Sequence, residues 1–260
     1  MPAADPLAGH DIALLRADNP GPFTLSGTNT WVVGRDPCWI IDPGPALDEH
    51  VAAILAEAAA RGGAGGIALT HDHADHAEAV PLVADALGVE VGAARWPDAQ
   101  ARIGDGDTFG PLVAVHAPGH APDHHVFLFG AACFTGDAVL GEGSVFIAPD
   151  PGALRGYLAA LERLLGMELD VLCPGHGPPV PDPKAKLGQY IAHRLDRERR
   201  LVSALDDGLR SVDELLARVW DDAPAALRPA AAVTLAAHLD KLAEEGRLPD
   251  GVSRPGSALG

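Results

Sequence analysis

Through the first two thirds of the chain, short apolar runs are cut by Gly, Pro or Asp at the lengths expected of buried or half-buried strands. The runs at 30–33, 39–42, 67–70, 112–116, 125–129 and 132–135 predict strands. Between them lie stretches whose apolar residues recur three and four apart. The clearest, 47–61, puts Leu47, Val51, Ile54, Leu55 and Ala58 on one face and ends at Gly62-Gly63, which predicts a helix closed by glycine. A second helix is expected from about His76, and a third over 153–165. Strands interleaved with helices, with several strand pairs joined by short turns, predict an α/β or α+β fold of helices layered on sheets, not a wound all-parallel sheet.

The pattern changes in the proline-rich stretch 177–183. Beyond it only helical periodicity follows, around 187–206, 212–219 and 225–245. This predicts a first domain over 1–183 and a small helical domain over 184–260. A length of 260 residues suits one sizeable core with such an appendage. The apolar stretches break off well before the ~20 residues that a membrane span needs. Residues 1–15 include Asp5, His10 and Asp11 and lack a basic-then-apolar leader, so a cytoplasmic location is expected. Cys38, Cys133 and Cys173 are odd in number and far apart. They predict no disulfide framework, and core packing is the expected role of Cys133 and Cys173.

The net charge of −17 is unevenly placed: residues 1–183 hold 7 basic and 24 acidic side chains, and residues 184–260 hold 12 of each. The first part therefore repels polyanions. Only the tail gathers cations, at Arg194, Arg197, Arg199 and Arg200, interspersed with Asp196 and Glu198 in an order that also suits intrahelical pairs. Histidine is abundant, 12 residues against 2 tyrosines, and clusters. That makes a transition-metal centre worth testing.

The chemistry concentrates in Thr70-His71-Asp72-His73-Ala74-Asp75-His76, directly after one predicted strand and before a predicted helix. A chain leaving a strand and turning into a helix can aim His71 and His73 at one ion, while Asp75 and His76 reach a neighbour and Asp72 faces away. A polar cluster of this kind is costly to bury without partners. Further ligands are expected from other strand-end loops: His120 after Pro118-Gly119, Asp137 after Thr135-Gly136, and His176 after Pro174-Gly175.

These residues, in this order, resemble the metallo-β-lactamase fold hydrolases. Asn19-Pro20-Gly21-Pro22-Phe23-Thr24-Leu25, Gly27-Thr28-Asn29-Thr30, the run from Gly136-Asp137 to Gly143, Pro174-Gly175-His176-Gly177-Pro178, Tyr190-Ile191-Ala192-His193-Arg194 and Ala237-His238-Leu239-Asp240-Lys241-Leu242 are similar to the lactamase-β-like protein 2 family. The resemblance implies an αββα sandwich with a metal site along one edge and a winged-helix-like tail. It also implies that His71, His73 and His120 hold a first metal, that Asp75, His76 and His176 hold a second, and that Asp137 bridges both. An Asp at the bridging position departs from the antibiotic-cleaving enzymes with a cysteine at the second metal, and argues against lactamase activity.

Two divalent ions about 3.5–4 Å apart can share a hydroxide and polarise a carbonyl or phosphoryl oxygen, so the implied reaction is hydrolysis. Asp75 is expected to orient that hydroxide or pass a proton to the leaving group. His124 is expected either to assist as a donor behind the ligands or to serve as a capping or core residue. Two Zn²⁺ are expected as cofactors, and iron or manganese also suits the donors. The family implies cleavage of single-stranded RNA, which the acidic first domain opposes. The alternative substrate is a small-molecule thioester or other acyl ester. Readings of a different class are an iron oxidoreductase resembling persulfide dioxygenases, and a non-catalytic protein whose winged-helix-like tail docks DNA or a partner. The tail itself is expected to pack over the active-site edge or to build a homodimer.

Overall fold

The computed structural model describes residues 5–255; residues 1–4, part of the segment 1–15 expected to lack a leader, and residues 256–260 lie outside them. Two sheets form the centre. The first holds, in spatial order, β1 (Ile12–Arg16), β2 (Asn29–Val33), β3 (Cys38–Ile41), β4 (Ala64–Ala68), β5 (Val91–Ala93) and β6 (Ala101–Arg102). Its first three strands pair antiparallel and the rest parallel. The second holds β7 (Thr108–Phe109), β8 (Leu112–His116), β9 (His125–Phe129), β10 (Ala132–Gly136) and β11 (Val171–Pro174), antiparallel except between β10 and β11.

The period of two along each strand decides which layer a residue serves. Trp31 and Val33 of β2 and Ile41 of β3 pack between the sheets, against Leu112, Phe127 and Phe134 of the second sheet. Val32 and Ile40, one residue out of phase, pack with Ile54 and Ala58 of α1 (Asp48–Ala60) and Val83 of α3 (Val80–Leu87). On the far side Val115, Val126 and Leu172 meet Leu154, Tyr157 and Leu161 of α4 (Ala153–Leu165). The layers therefore run helix, sheet, sheet, helix, as expected. Each large side chain buried this way contributes roughly 1.5–3 kcal/mol, and together they fix the strand ends that carry the site.

The deviations from expectation have local causes. The helix expected from about His76 is two pieces, α2 (Ala74–Ala77) and α3, because Pro81 belongs in a first turn and has no N–H for a helix interior. Pro229 acts likewise: the expected helix over 225–245 opens as a 3₁₀ turn, Ala225–Leu227, and restarts as α7 (Arg228–Glu244). Five strands were not foreseen. β6 and β7 are two residues each, too short for a period, and β1 is half-buried along most of its length, so its apolar run does not alternate.

Beyond residue 182 the described chain is helical: α5 (Pro183–Asp206), α6 (Val212–Val219) and α7. Ser211 and Glu214 form a reciprocal cap at the start of α6. Leu201, Leu205, Leu215, Val219, Leu235 and Leu239 make a separate core there, while Leu187 and Tyr190, earlier on α5, join the core of α4. One helix thus runs through both cores. No helix among the described residues is long and apolar enough to cross a membrane.

His238 is wholly buried beside Trp220, and neither ring nitrogen has a hydrogen-bond partner among the described residues. Burial first, then the nearby Arg194 and Lys241, push its pKa down to about 3. The folded imidazole refuses a proton that the unfolded one accepts near 6.5. Its contribution to stability is therefore complete above that pH and is lost as pH falls towards 3, amounting to about 2 kcal/mol by pH 5. Urea unfolding of His238→Leu is expected to lose less stability than the wild type between pH 7 and pH 5. Equal losses would refute this assignment.

Candidate metal centre

Strands of both sheets end at one edge of the sandwich. β3 delivers Asp42, β4 leads through Leu69 and Thr70 to His71, and β10 and β11 end just before Asp137 and His176. The loop after β8 carries His120 and His124. His73 is the residue before α2, with Asp75 and His76 inside that short helix. Three sets of ligand atoms each lie within 4.8 Å of one another: His71, His73 and His120; His71, His76 and Asp137; and Asp75, His76 and His176. All seven side chains expected to bind metal are thus brought together, and Asp72 belongs to none of these sets.

Asp137 faces both halves. Its Oδ2 is 3.5 Å from His120 Nε2, and its Oδ1 is 3.5 Å from His76 Nε2 and 3.4 Å from His176 Nε2. Asp75 Oδ2 is 3.2 Å from His176 Nε2. Two glycines permit this crowding. A Cβ on Gly175 would lie 2.7 Å from Asp137 Oδ1, and one on Gly136, at φ +46°, would lie 2.5 Å from Thr70 Oγ1.

The outer nitrogens of His71 and His76 are held from behind, which turns their inner ones towards the cluster. Asp42, nearly fully buried, accepts from the Thr70 N–H at 2.8 Å, the Thr70 hydroxyl at 2.7 Å and His76 Nδ1 at 3.0 Å. With its hydroxyl proton given to Asp42, Thr70 Oγ1 accepts from His71 Nδ1 at 2.9 Å. The inner atoms His71 Nε2, His76 Nε2 and Asp137 Oδ1 are then buried without a partner among the described residues. Orphaned lone pairs converging on one place are costly unless a cation is bound, so the residues fit a pair of metal ions.

The charge states agree with that fit. Burial, then the neighbouring His76 and His124, hold His71 well below the usual imidazole range, and burial brings His120 down to about 4. Burial would raise Asp137, but His176 and His76 outweigh it and keep the carboxylate ionised. Burial would likewise raise Asp75, and the hydrogen bond from His176 overcomes it. His76 and His176 go the other way: burial would lower both, but Asp137 outweighs it, holding His76 well above the usual imidazole range and His176 at about 9, so a cation bound there would take the place of their protons. With those protons displaced, imidazoles beside ionised carboxylates are a donor set that suits zinc, iron or manganese.

His124 is fully buried, and its Nε2 accepts from the backbone N–H of Asp137 at 3.1 Å. It therefore acts on Asp137 as an acceptor, where a donor was one of the expected roles. Asp42 and Thr70 escaped the sequence reading. Asp42 ends a predicted strand and precedes Pro43-Gly44, the same context that singled out the other strand-end ligands. Because Asp42 fixes the tautomer of His76, Asp42→Asn is expected to weaken metal affinity about 10–100-fold, read by calorimetric titration. Unchanged affinity would show that Asp42 serves the turn alone.

A cavity of about 480 Å³ opens beside His120 and Asp137. Its walls are mostly apolar, with Phe23, Leu25 and Phe146 from the sandwich and Trp220, Leu227 and Ala230 from the C-terminal helices. The tail therefore does pack over the edge that holds the cluster.

Residues 92–176 match the family model described as Metallo-beta-lactamase superfamily, and residues 211–250 match the Beta-lactamase associated winged helix domain. A Beta-lactamase-like protein 2 homolog of Drosophila melanogaster is 31% identical, over 95% of this chain and 92% of that protein. An Atrochrysone carboxyl ACP thioesterase of Aspergillus novofumigatus is 33% identical, over 85% of this chain and 74% of that protein. Among solved structures, a metallo-beta-lactamase family protein from Thermus thermophilus superposes with a TM-score of 0.74 at 24% identity, covering 91% of this chain and 94% of the other.

Proposed function

Because the chain belongs to the metallo-beta-lactamase superfamily of metal-dependent hydrolases, with its associated winged helix domain and among the beta-lactamase-like protein 2 homologues, we propose that it hydrolyses acyl thioesters or related acyl esters with a pair of zinc ions. The observation that carries this reading is the half-enclosed, mostly apolar cavity beside the His and Asp cluster. An acyl group is suited to such walls; a polyanionic strand is not. The arginines on α5 weigh the same way, since Arg197, Arg199 and Arg200 are each paired with a carboxylate, Asp222, Asp196 and Asp221 in turn. The thioesterase name of the Aspergillus relative adds support. We take residues 1–183 as the catalytic domain and 184–260 as the winged-helix-like domain.

His71, His73 and His120 would hold one ion, Asp75, His76 and His176 the other, and Asp137 both. When bound, the pair supplies a nucleophile at neutral pH and stabilises negative charge on the carbonyl oxygen. The chain's own residues do the rest. Phe23, Leu25 and Phe146 exclude water from the acyl group and hold its carbonyl near Asp137. Asp75 has a half-buried carboxylate against His176 and open to the solvent side, where it can accept a proton and return it to the departing thiol. His124 and Asp42 stay behind the ligands and keep Asp137 and His76 in place.

A metal-loaded panel tests this: an acyl thioester, single-stranded RNA, bis-p-nitrophenyl phosphate and nitrocefin, with Asp137→Ala as the blank. Thioester cleavage should dominate. RNA cleavage exceeding it would reverse the choice of substrate, and oxygen uptake on a persulfide with a single bound iron would replace the hydrolase reading. The cavity wall gives a sharper check. Ala230→Leu, on α7 and outside the helical core, is expected to lower kcat/KM for a long acyl thioester by about tenfold, because one or two methylenes are worth about 1–3 kcal/mol in a filled pocket. An acetyl thioester should be spared. Equal losses for both chain lengths would mean that α7 does not bound the acyl site.

A further inference from the structure

Arg194 differs from the other arginines of α5. Its side chain is almost wholly buried, and among the described residues no carboxylate lies within 4.0 Å of its guanidinium. Its Nη2 donates to Ser144 Oγ at 2.9 Å and to the Val145 carbonyl, its guanidinium carbon lies 5.7 Å from the centre of the Tyr157 ring, and its Nε has no partner at all among the described residues. Neutral acceptors and an aromatic face meet part of its hydrogen bonding and leave the charge uncompensated. A guanidinium so buried is strongly unfavourable without a counter-ion.

That residue lines the same cavity as His120 and Asp137. Three carboxylates also border the cavity, and none is available to it. Asp137 lies in the metal centre, Asp222 is taken by Arg197, and Glu142 is exposed at the rim on the side of Lys186. The positive field is felt by His193, also in the wall, whose pKa falls to about 4 through burial first and then Arg194 and Arg197. The cavity thus combines apolar walls with one fixed, unpaired cation.

We propose that Arg194 anchors an anionic oxygen group, a carboxylate or a phosphate, carried by the thioester substrate. This rests on the thioester reading above. A guanidinium meets such a group through charge-assisted N–H bonds, and here it does so away from water, where the pairing is strongest. Loop 144–145, which Arg194 already holds, would be fixed further once the anion is seated.

Three thioesters test it on the full metal-loaded chain: butanoyl and succinyl thioesters of N-acetylcysteamine, and butanoyl coenzyme A. The first is neutral, the second is charged on the acyl side, and the third on the thiol side. At least one charged substrate is expected to exceed the neutral one by about tenfold or more in kcat/KM, mainly through KM. Arg194→Met should abolish the excess while sparing the neutral substrate, and Arg194→Lys should keep part of it. Which charged substrate gains tells which end carries the anion. Equal rates for all three in the wild type, or an excess that survives Arg194→Met, overturns the proposal. Should Arg194→Met not fold, Gln189→Glu places a negative charge on the same wall and should reduce the excess; an unchanged excess overturns the proposal as well. Hydrolysis of none of the three, alongside Asp137-dependent cleavage of another class, removes the thioester reading and the anchor with it.

Discussion

Asp137→Ala is expected to lower kcat/KM for any hydrolysed substrate at least about a thousandfold and to reduce bound metal from two ions per chain towards one. The reason is geometric. A single carboxylate sits 3.5 Å from His120 Nε2 through one oxygen and 3.5 Å from His76 Nε2 through the other, so its removal opens both halves of the cluster at once. Its negative charge is also what balances the imidazoles around it. Metal polarisation of the reacting oxygen is worth several kcal/mol, and about 4 kcal/mol is a thousandfold in rate. Asp137→Asn keeps the shape but loses one anionic oxygen, and should fall between the alanine variant and the wild type. Metal analysis beside steady-state kinetics checks this. An alanine variant that keeps two ions and more than a tenth of the activity would sink the dinuclear site.

Metal removal is expected to have the second largest effect, on stability as well as activity. The cluster buries lone pairs with no protein partner among the described residues, and a bound ion satisfies them only in the folded state. At a free metal concentration a thousand times the dissociation constant, binding stabilises by about 4 kcal/mol. For a chain of this size that corresponds to a fall in Tm of roughly 8–16 °C on chelation. Stripping with a strong chelator, thermal scans and readdition of Zn²⁺, Fe²⁺ or Mn²⁺ in turn would show it. An ion that restores both Tm and turnover is one the site can use. A stripped protein with an unshifted Tm that gains nothing from any of the three would show that the cluster holds no structural metal.

The remaining expectations bear on how the site is supported. Weakened metal affinity in Asp42→Asn, a chain-length effect in Ala230→Leu and reduced acid sensitivity in His238→Leu each probe a contact away from the reacting atoms. None changes a residue assigned to hold metal.

Some of this was readable along the chain and some was not. The candidate ligands were legible because strand ends leave a local signature, an apolar run followed by His or Asp beside Gly, as at Gly119-His120, Gly136-Asp137 and Gly175-His176. Asp42 carries a similar signature but is set apart from the ligands, and only its three hydrogen bonds to Thr70 and His76 reveal its work. The short strands β6 and β7 were not legible, because two residues cannot show a period and are held by their neighbours in the sheet.

The sequence by itself therefore determined the layered fold class, the helical tail and the identity of the seven candidate ligands, since hydrophobic period and residue chemistry are local properties. Only the tertiary structure decided that Asp137 faces both halves of the cluster, that His124 accepts a hydrogen bond behind it, that the tail walls a cavity over the edge, and that Arg194 is buried without a counter-ion among the described residues. These facts concern residues tens of positions apart. They depend on which strand ends and helix faces meet when two sheets and their helices pack, and no local pattern encodes that meeting.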